Sequence, residues 1–275
     1  MIHLNQSTHA DDLTPFDLRD RGLLLADGVF DTSLIMDGRC IFRGKHLARL
    51  LRDASALDLP VTESMIDAFI DKVIPDGFSG ALRITLTRGP GGRGLAGGDI
   101  GAPTLLAHLT PDDSTRRFAP VSLTFSDLSR NPNSLTSRHK TLAYVDNVMA
   151  MRRAHAAGFE DAIMTGTSGA IACSTCANLF VRSGNVLRTP PISDGALPGV
   201  LRGWVLKNAG KAGLRAEEST LTVSDLETAE QVFLTNSLRL IAPVSRIGDK
   251  RFDTALPSEL KALLVAAITA GDPSD

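Results

Sequence analysis

The chain is poor in cysteine, tyrosine and tryptophan. Its 275 residues include three cysteines, one tyrosine and one tryptophan. Three cysteines cannot build a disulfide framework, and reduced thiols are typical of a cytoplasmic protein. Cys173 and Cys176 have the spacing of half a zinc or redox motif, but the sequence offers no second cysteine or histidine pair at ligand spacing. We therefore expect no metal site.

Long hydrophobic runs and an excess of basic residues are also missing. No apolar run reaches the roughly 18 residues that a membrane-spanning helix needs. The first residues lack the charged and apolar regions of a signal peptide. The formal net charge is −2, with the basic residues scattered along the chain. These absences argue against a nucleic-acid or membrane partner, and we expect a cytoplasmic protein.

What is present is the composition of a globular protein, with 43% hydrophobic and 22% charged residues. This length fits two domains of ordinary size. A polar, proline-containing stretch predicts an N-terminal domain over residues 1–111, a linker over 112–117 and a larger domain over 118–275. Hydrophobic periodicity predicts strands and helices in alternation, which gives an α/β (α+β) fold. The predicted helices cover residues 45–54, 63–73, 142–157, 223–229 and 258–270, and a further helix opens over residues 196–202 and carries Trp204.

Lys140 stands between a polar loop and the apolar run that we predict to be helical from residue 142. A solvated surface lysine is the ordinary interpretation. However, Tyr144, the only tyrosine, follows four positions later and would share a helix face with Lys140. An amine that forms a Schiff base must react in its neutral form, which burial and nearby positive charge favour. Arg138 and His139 precede Lys140, so its amine is a candidate nucleophile.

Three further segments have the composition of anion-binding sites. Residues 88–94 contain four glycines together with Arg88 and Arg93, and form either a plain turn or an anion-binding loop. Pro198 and Gly199 precede a predicted helix and leave the first N–H groups, those of Val200 and Leu201, without helical partners. An ordinary helix entry has the same pattern. A turn rich in hydroxyl and amide groups covers residues 235–237.

These motifs occur in a fixed order along the chain. They are Asp20-Arg21-Gly22 with Asp27-Gly28-Val29-Phe30, His46-x-x-Arg49-Leu50, Lys140 with Tyr144, Ala177-Asn178-Leu179-Phe180, Leu197-Pro198-Gly199-Val200-Leu201-Arg202, and Thr235-Asn236-Ser237. Together they resemble the fold-type-IV pyridoxal-phosphate (PLP) enzymes, the class IV aminotransferase family. This family includes branched-chain aminotransferases, D-amino-acid transaminases, R-selective amine transaminases and aminodeoxychorismate lyase.

The resemblance implies a two-domain fold like that of D-amino-acid aminotransferase, with PLP at the domain junction, and a homodimer. A loop near Arg21 or Phe30 would help to close the partner's site. Lys140 would carry the cofactor as a Schiff base and shuttle protons. The implied cofactor-binding residues are Arg49 and the amides of Val200 and Leu201 at the phosphate, Thr235 and Asn236 beside them, Tyr144 at the phenolic oxygen, and Cys173 and Asn178.

Cys173 departs from the family pattern, because a glutamate usually stands five residues before this asparagine. That glutamate keeps the pyridine nitrogen protonated, whereas a thiol carries little negative charge at neutral pH. A weak electron sink slows transamination more than elimination, so Cys173 favours a lyase. The loop over residues 88–94 is also similar to a lyase-branch loop. Leu95 opposes the lyase, since it stands where that branch commonly has tyrosine.

The resulting hypothesis is a PLP-dependent transaminase that moves an amino group between an amino acid and a 2-oxo acid. A D-amino acid is one candidate substrate. Arg93, Arg21 and Arg88 are candidates for the substrate carboxylate, although each is equally compatible with a solvated surface arginine. Phe30 and Ser237 are further candidate substrate contacts by the resemblance. The alternatives are aminodeoxychorismate lyase, which releases pyruvate and 4-aminobenzoate, and a non-catalytic binding protein that keeps the fold.

Overall fold

The structure is a computed structural model that describes residues 1–5, 7–9, 15–98, 100–111 and 113–270. The chain divides into two compact units. The N-terminal unit contains Met1–Asp113 and His139–Ala143, and the C-terminal unit contains Ser114–Arg138 and Tyr144–Ala270. The predicted domain limits stay a prediction, and residue 112 of the predicted linker lies outside the described residues. No described helix is both long and apolar enough to cross a bilayer.

A six-stranded antiparallel sheet forms the N-terminal unit. In spatial order its strands are β2 (Ser7–His9), β1 (Ile2–Leu4), β6 (Thr104–Pro111), β5 (Gly80–Thr87), β3 (Gly28–Met36) and β4 (Arg39–Cys40). Asp37 and Gly38, a pair typical of hairpin turns, lie between β3 and β4, and both have positive φ. This sheet provides β3, the strand against which Lys140 lies.

Three helices accompany this sheet: α1 (Arg21–Leu25), α2 (Arg43–Ala56) and α3 (Glu63–Val73). Helical periodicity places Leu47, Leu50, Leu51 and Ala54 on one apolar side of α2, and three of them, Leu47, Leu50 and Ala54, belong to the buried core of this unit. The same buried side of α2 also carries the polar residues His46, Arg49 and Asp53. A helix that buries charged side chains must supply them with partners, and these partners define the site below.

A nine-stranded mixed sheet forms the C-terminal unit. Its order is β12 (Arg215–Glu218), β11 (Val186–Thr189), β10 (Asn178–Ser183), β13 (Gln231–Asn236), β14 (Leu240–Ile247), β7 (Val121–Phe125), β8 (Asp161–Thr165) and β9 (Ile171–Ser174). Strand β15 (Lys250–Arg251) pairs with β14 outside this path. The central strands β10, β13 and β14 are antiparallel neighbours, and their apolar residues join one core cluster.

The helices of the C-terminal unit are α4 (Leu135–Arg138), α5 (Val145–Ala156), α6 (Val200–Asn208), α7 (Val223–Thr228) and α8 (Ser258–Thr269). The helix predicted from about residue 142 to 157 is present as α5, but it starts three residues later, so the expectation that Lys140 and Tyr144 share a helix face is wrong. Helix α5 begins at Val145, with Tyr144 as its N-cap residue. Residues 139–143 are non-helical because their backbone groups bond to β3 and to Asp53.

Candidate active site

The lysine segment, residues 139–143, lies alongside β3 in the N-terminal unit. The Phe30 N–H donates to the Lys140 carbonyl at 2.9 Å, and the Leu142 N–H donates to the Gly28 carbonyl at 3.0 Å. The Lys140 Nζ lies 4.2 Å from the centroid of the Phe30 ring, within the range of a cation–π contact. The structure therefore brings two predicted site residues, Lys140 and Phe30, into direct contact.

Asp53 holds the lysine segment from the side of α2. Its Oδ2 accepts the Lys140 backbone N–H at 3.0 Å, and its Oδ1 lies 2.9 Å from Nδ1 of His139. The Asp53 side chain is 1% exposed, so these bonds form away from bulk water. The Arg52 guanidinium also donates to Oδ1, at 2.7 Å. Both polar backbone groups of Lys140 are thus fixed within this unit.

Arg49 lies buried on α2 and pairs with Asp31 of β3. The Arg49 Nε donates to Oδ2 of Asp31 at 2.8 Å, and Nδ1 of His46 lies 2.6 Å from the other oxygen. Burial alone would raise the pKa of Asp31, but the charges and hydrogen bonds of His46 and Arg49 outweigh it and hold this pKa well below its ordinary value. Asp31 is therefore ionised at neutral pH and fixes one edge of the Arg49 guanidinium.

Arg21 and Arg88, two of the predicted carboxylate ligands, are engaged within the chain. Both donate to Asp27, Arg21 through Nε at 3.0 Å and Arg88 through Nε at 2.8 Å. Arg21 also donates to the carbonyls of Gly94 and Leu95, at 2.9 and 2.7 Å. These bonds shape the loop over residues 88–98 and favour a structural role for both arginines. Arg93 lies in the same loop and is exposed.

Arg88 has further bonds, to the carbonyls of Asp58 at 3.1 Å and Leu57 at 2.5 Å. Partial burial would raise the pKa of Asp27, but the hydrogen bonds and charges of Arg88 and Arg21 lower it. The Asp27 carboxylate is therefore a fixed counter-charge for both guanidinium groups. Of the three arginines predicted to bind a carboxylate, Arg93 has the side chain that the structure leaves most accessible.

The C-terminal unit collects three predicted cofactor-binding segments, which we call the Thr235 cluster: Thr235, Asn178, Gly199 and the α6 N-terminus. Asn178 and Thr235 are directly paired across β10 and β13, so both side chains face the same side of the sheet. The Asn178 Nδ2 donates to the Leu197 carbonyl at 2.7 Å. A Cβ built on Gly199 would lie 2.0 Å from Oδ1 of Asn178, so the close approach requires glycine there.

This cluster has unused hydrogen-bond donors. Helix α6 starts at Val200, and its N-cap, Gly199, supplies no side-chain cap, so the N–H groups of Val200 and Leu201 face outward from the helix start. The Thr235 hydroxyl is buried and has no hydrogen-bond partner among the described residues. A buried hydroxyl beside a helix N-terminus is suited to bind an anion.

Asn236 and Ser237, the other members of the predicted turn, are placed differently. The Asn236 Oδ1 accepts the N–H groups of Leu238 and Arg239 at 3.1 and 2.8 Å, so its side chain closes the turn after β13. Asn236 lines a separate cavity with Leu234, and strand alternation points Thr235 away from that cavity. Ser237 is half-buried in the turn itself. The two residues therefore shape the turn that follows Thr235.

Cys173 and Tyr144 lie in the C-terminal unit. Cys173 is buried on β9 and packs in a small cluster with Ala150, Met164 and Ala172. Burial raises the pKa of the Cys173 thiol, so the thiol is neutral at physiological pH. Tyr144 is half-buried at the start of α5. The expectation that Cys173 carries little negative charge agrees with its surroundings.

Sequence reasoning missed Asp31 and Asp53. Asp31 is the single charged residue in the middle of a largely buried strand, and Asp53 falls on the helical spacing of His46 and Arg49. A charge within a buried strand and a second carboxylate on the apolar face of an amphipathic helix were the available signals. Each carboxylate anchors a predicted site residue, Asp31 the Arg49 guanidinium and Asp53 the Lys140 backbone.

Comparisons with known proteins point to one family. The model of the family described as amino-transferase class IV matches residues 28–247. A Methanocaldococcus jannaschii protein with the provisional name branched-chain-amino-acid aminotransferase is 32% identical over 236 residues, which are 84% of this chain and 82% of the relative. The aminodeoxychorismate lyase of Bacillus subtilis is 27% identical over 264 residues, 91% of this chain and 87% of the relative.

A solved structure supports the same conclusion. The PLP-bound form of a hypothetical aminotransferase from Mycobacterium tuberculosis superimposes with a TM-score of 0.85 at 26% identity. The superposition covers 98% of this chain and 99% of that one. The mixed α/β fold expected from the sequence is confirmed by this likeness.

Proposed function

The chain belongs to the amino-transferase class IV family, and we propose that within it the protein acts as a transaminase, moving an amino group between an amino acid and a 2-oxo acid. Family membership makes it a PLP-dependent enzyme of transaminase or lyase chemistry. The observation that carries the proposal is the fixed lysine segment, in which both backbone polar groups of Lys140 are bonded. A segment fixed in this way holds the Lys140 amine in one direction.

The residues present fit PLP. The Thr235 hydroxyl is an orphaned buried donor, and the α6 start adds the N–H groups of Val200 and Leu201. A phosphate dianion takes a hydroxyl, helix N-terminal amides and an arginine fork together. Arg49 is the arginine that we assign to the phosphate, because Asp31 and His46 hold its orientation. We assign the phenolic oxygen of the cofactor to Tyr144.

When bound, PLP supplies an aldehyde that condenses with an amine, with loss of water, and a ring that stabilises negative charge at the substrate Cα. The chain supplies the rest. Lys140 Nζ would take the proton from the substrate Cα as a general base and would deliver it, as a general acid, to the carbon that was the PLP aldehyde. Asn178 orients the Leu197–Gly199 turn so that the α6 amides point outward. Arg93, exposed in its loop, is our candidate for the substrate carboxylate.

A lyase is the second candidate, and the neutral Cys173 thiol favours it. The buried thiol cannot hold a proton on the pyridine nitrogen as a carboxylate does, because burial raises its pKa. In an elimination the developing charge departs with the leaving group, so this weakness matters less. The Bacillus subtilis relative is named aminodeoxychorismate lyase. With this activity, the protein would release pyruvate and 4-aminobenzoate. The transaminase stays first because Leu95 lacks the hydroxyl that the lyase branch commonly carries there.

One experiment separates these functions. The purified protein is loaded with PLP and assayed with 2-oxoglutarate and either D-alanine or an L-branched-chain amino acid, and separately with aminodeoxychorismate. Formation of glutamate supports the transaminase and its donor class. If no donor yields glutamate and 4-aminobenzoate forms from aminodeoxychorismate, the transaminase proposal fails in favour of the lyase.

The assignment of Lys140 as the residue that carries the cofactor is tested by absorption. We expect the PLP-loaded protein to show a visible band that Lys140→Ala removes. Lys72→Ala, at an exposed lysine of the same unit, is the control and should keep the band. A band that survives Lys140→Ala would show that another amine carries the cofactor and would contradict our assignment of Lys140.

The proposal includes a homodimer in the cytoplasm. Helix α1 presents Leu23, Leu24 and Leu25, which are 58%, 62% and 46% exposed. Arg21 bonds this helix to the carbonyl of Leu95, whose side chain is 85% exposed. Contiguous exposed apolar surface is typical of protein interfaces. A second copy of the chain is the partner that we assign to it, and the three free cysteines suit a reducing compartment.

A further inference from the structure

Both carboxylate oxygens of the buried Asp53 contact the lysine segment. One oxygen accepts the Lys140 N–H at 3.0 Å, and the other lies 2.9 Å from Nδ1 of His139. The two contacts join α2 to residues that lie 86 and 87 positions later in the chain. A single buried carboxylate therefore clamps two consecutive residues of the lysine segment.

The opposite side of Lys140 is fixed by β3. The Phe30 N–H donates to the Lys140 carbonyl at 2.9 Å, and the ring of the same residue lies under Nζ at 4.2 Å. With its carbonyl held by β3 and its N–H held by Asp53, Lys140 has little freedom in its backbone angles. Fixing the backbone fixes the direction of the Cα–Cβ bond, from which the amine extends.

A simpler role for Asp53 would be to pair with Arg52. The ion pair between Arg52 and Asp53 is weak, because the Arg52 side chain is 43% exposed and water screens exposed ion pairs. By contrast, the contacts to His139 and Lys140 are largely shielded, and a buried carboxylate without donors would be strongly unfavourable. The clamp on residues 139 and 140 is therefore the main use of the Asp53 charge.

We infer that Asp53 is a positioning residue that aims the Lys140 amine at the PLP aldehyde by clamping the His139 side chain and the Lys140 backbone N–H. This inference rests on the proposed function of Lys140. Asp53 itself contacts no reacting atom. Its effect comes from orientation, since an amine held in the reactive geometry condenses with an aldehyde far faster than a freely moving one.

The first test uses the apoprotein and needs no cofactor. Hydrogen–deuterium exchange is followed at single amides for the wild type, Asp53→Ala and Asp53→Asn. In Asp53→Ala we expect the Lys140 amide to exchange about tenfold faster or more, because it loses a charged acceptor. The Leu142 amide, which bonds to Gly28, should change much less. Asp53→Asn keeps an acceptor oxygen and should restore most of the protection.

The second test measures the rate at which the apoprotein acquires the visible band after PLP is added. We expect Asp53→Ala to slow this step about tenfold or more. Asp53→Asn should stay within a factor of about three, because the amide oxygen can accept the Lys140 N–H while its NH2 donates to a neutral His139 ring. Arg52→Ala, which leaves the clamp intact, should match the wild type.

Leu47→Ala controls for a merely structural effect. Leu47 is buried on the same helix, so its truncation lowers stability without touching the clamp. If Asp53→Ala slows band formation no more than Leu47→Ala at an equal loss of Tm, or leaves Lys140 exchange unchanged, the inference is overturned. Should the wild type acquire no band at all, the proposed function fails, and the exchange data alone then decide whether Asp53 clamps Lys140.

Discussion

Asp31 and Arg49 form a buried ion pair, with 2.8 Å between Oδ2 of the carboxylate and Nε of the guanidinium. Their side chains are 6% and 7% exposed. The pair joins β3 to α2 within the N-terminal unit, and His46 completes it on the other carboxylate oxygen. Because the carboxylate occupies one edge of the guanidinium, Arg49 presents a fixed orientation to an incoming anion.

Asp31→Asn should therefore destabilise the apoprotein and weaken PLP binding. Removing the charge leaves the buried guanidinium without a counter-ion, for which we expect a loss of about 3–5 kcal/mol in the free energy of unfolding. The measurements are urea denaturation of the apoprotein and titration with PLP. Asp67→Asn is the matched control, since Asp67 pairs with Arg43 at a more exposed position and should cost below about 1 kcal/mol.

The same pair predicts a pH dependence. His46 and Arg49 hold the pKa of Asp31 below its ordinary value, so the carboxylate stabilises the fold wherever it is ionised. The stability gap between wild type and Asp31→Asn should narrow as the pH falls below about 4, the ordinary pKa of an aspartate in the unfolded chain. A gap that stayed unchanged as the pH fell from about 4 to about 2 would contradict this assignment.

Some of this arrangement was predictable from the sequence, and the limits have a physical cause. The stripe of Leu47, Leu50 and Ala54 on α2 follows from local periodicity, and the core confirms it. The backbone conformation of Lys140 cannot be predicted from local periodicity, because its carbonyl accepts a bond from Phe30, which lies 110 positions earlier in the chain. The apolar spacing that predicts a helix begins at residue 142, but the backbone bond from Leu142 to Gly28 keeps the segment beside β3, and α5 begins at Val145.

The arginines illustrate the same limit. From the sequence, Arg93 is the first candidate for the substrate carboxylate, and Arg21 and Arg88 are further candidates. Asp27 distinguishes them, because it accepts bonds from Arg21 and Arg88, whereas Arg93 lies exposed in the loop. Pairing between residues 61 positions apart, as for Arg88 and Asp27, depends on the completed sheet and leaves no local pattern.

Thr235→Val should separate cofactor binding from stability. The Thr235 hydroxyl is buried without a partner among the described residues, and valine has nearly the same shape. The apoprotein should be as stable as the wild type or gain about 1 kcal/mol, because a buried unpaired hydroxyl is unfavourable. PLP affinity should fall about tenfold, since the phosphate loses a donor. Chemical denaturation and PLP titration give the two quantities.

Thr189→Val is the matched control for this prediction. Thr189 is equally buried, but its hydroxyl donates to the Leu179 carbonyl at 2.7 Å. Its loss should destabilise the apoprotein by about 1–2 kcal/mol and leave PLP affinity unchanged. If Thr235→Val lowers stability as much as Thr189→Val does, the Thr235 hydroxyl has a hydrogen-bond partner within the protein. It is then not an unpaired donor available to the phosphate.

Gly199→Ala tests the packing that orients the α6 N-terminus. The added methyl group would lie 2.0 Å from Oδ1 of Asn178, so the asparagine must move and its bond to Leu197 weakens. We expect a loss of about 1–3 kcal/mol in stability, together with weaker PLP binding. Gly203→Ala on the same helix meets nothing within 4 Å and should stabilise the protein by up to about 1 kcal/mol. Equal effects of the two substitutions would refute the close contact with Asn178.

Leu24→Asp tests the surface that we assign to the homodimer. Leu24 is the middle one of the three exposed leucines of α1 and is 62% exposed, so a carboxylate there should barely affect folding of the subunit. In an interface the same charge would be buried without a partner, which disfavours association strongly. Light scattering coupled to size exclusion should give twice the 29.2 kDa chain mass for the wild type and a shift toward the single-chain mass for the variant.

Val265→Asp, at an exposed apolar residue of α8, is the control and should keep the wild-type mass. A wild-type protein that elutes as a single chain, or a Leu24→Asp protein that stays dimeric, would show that α1 is not the contact between two copies.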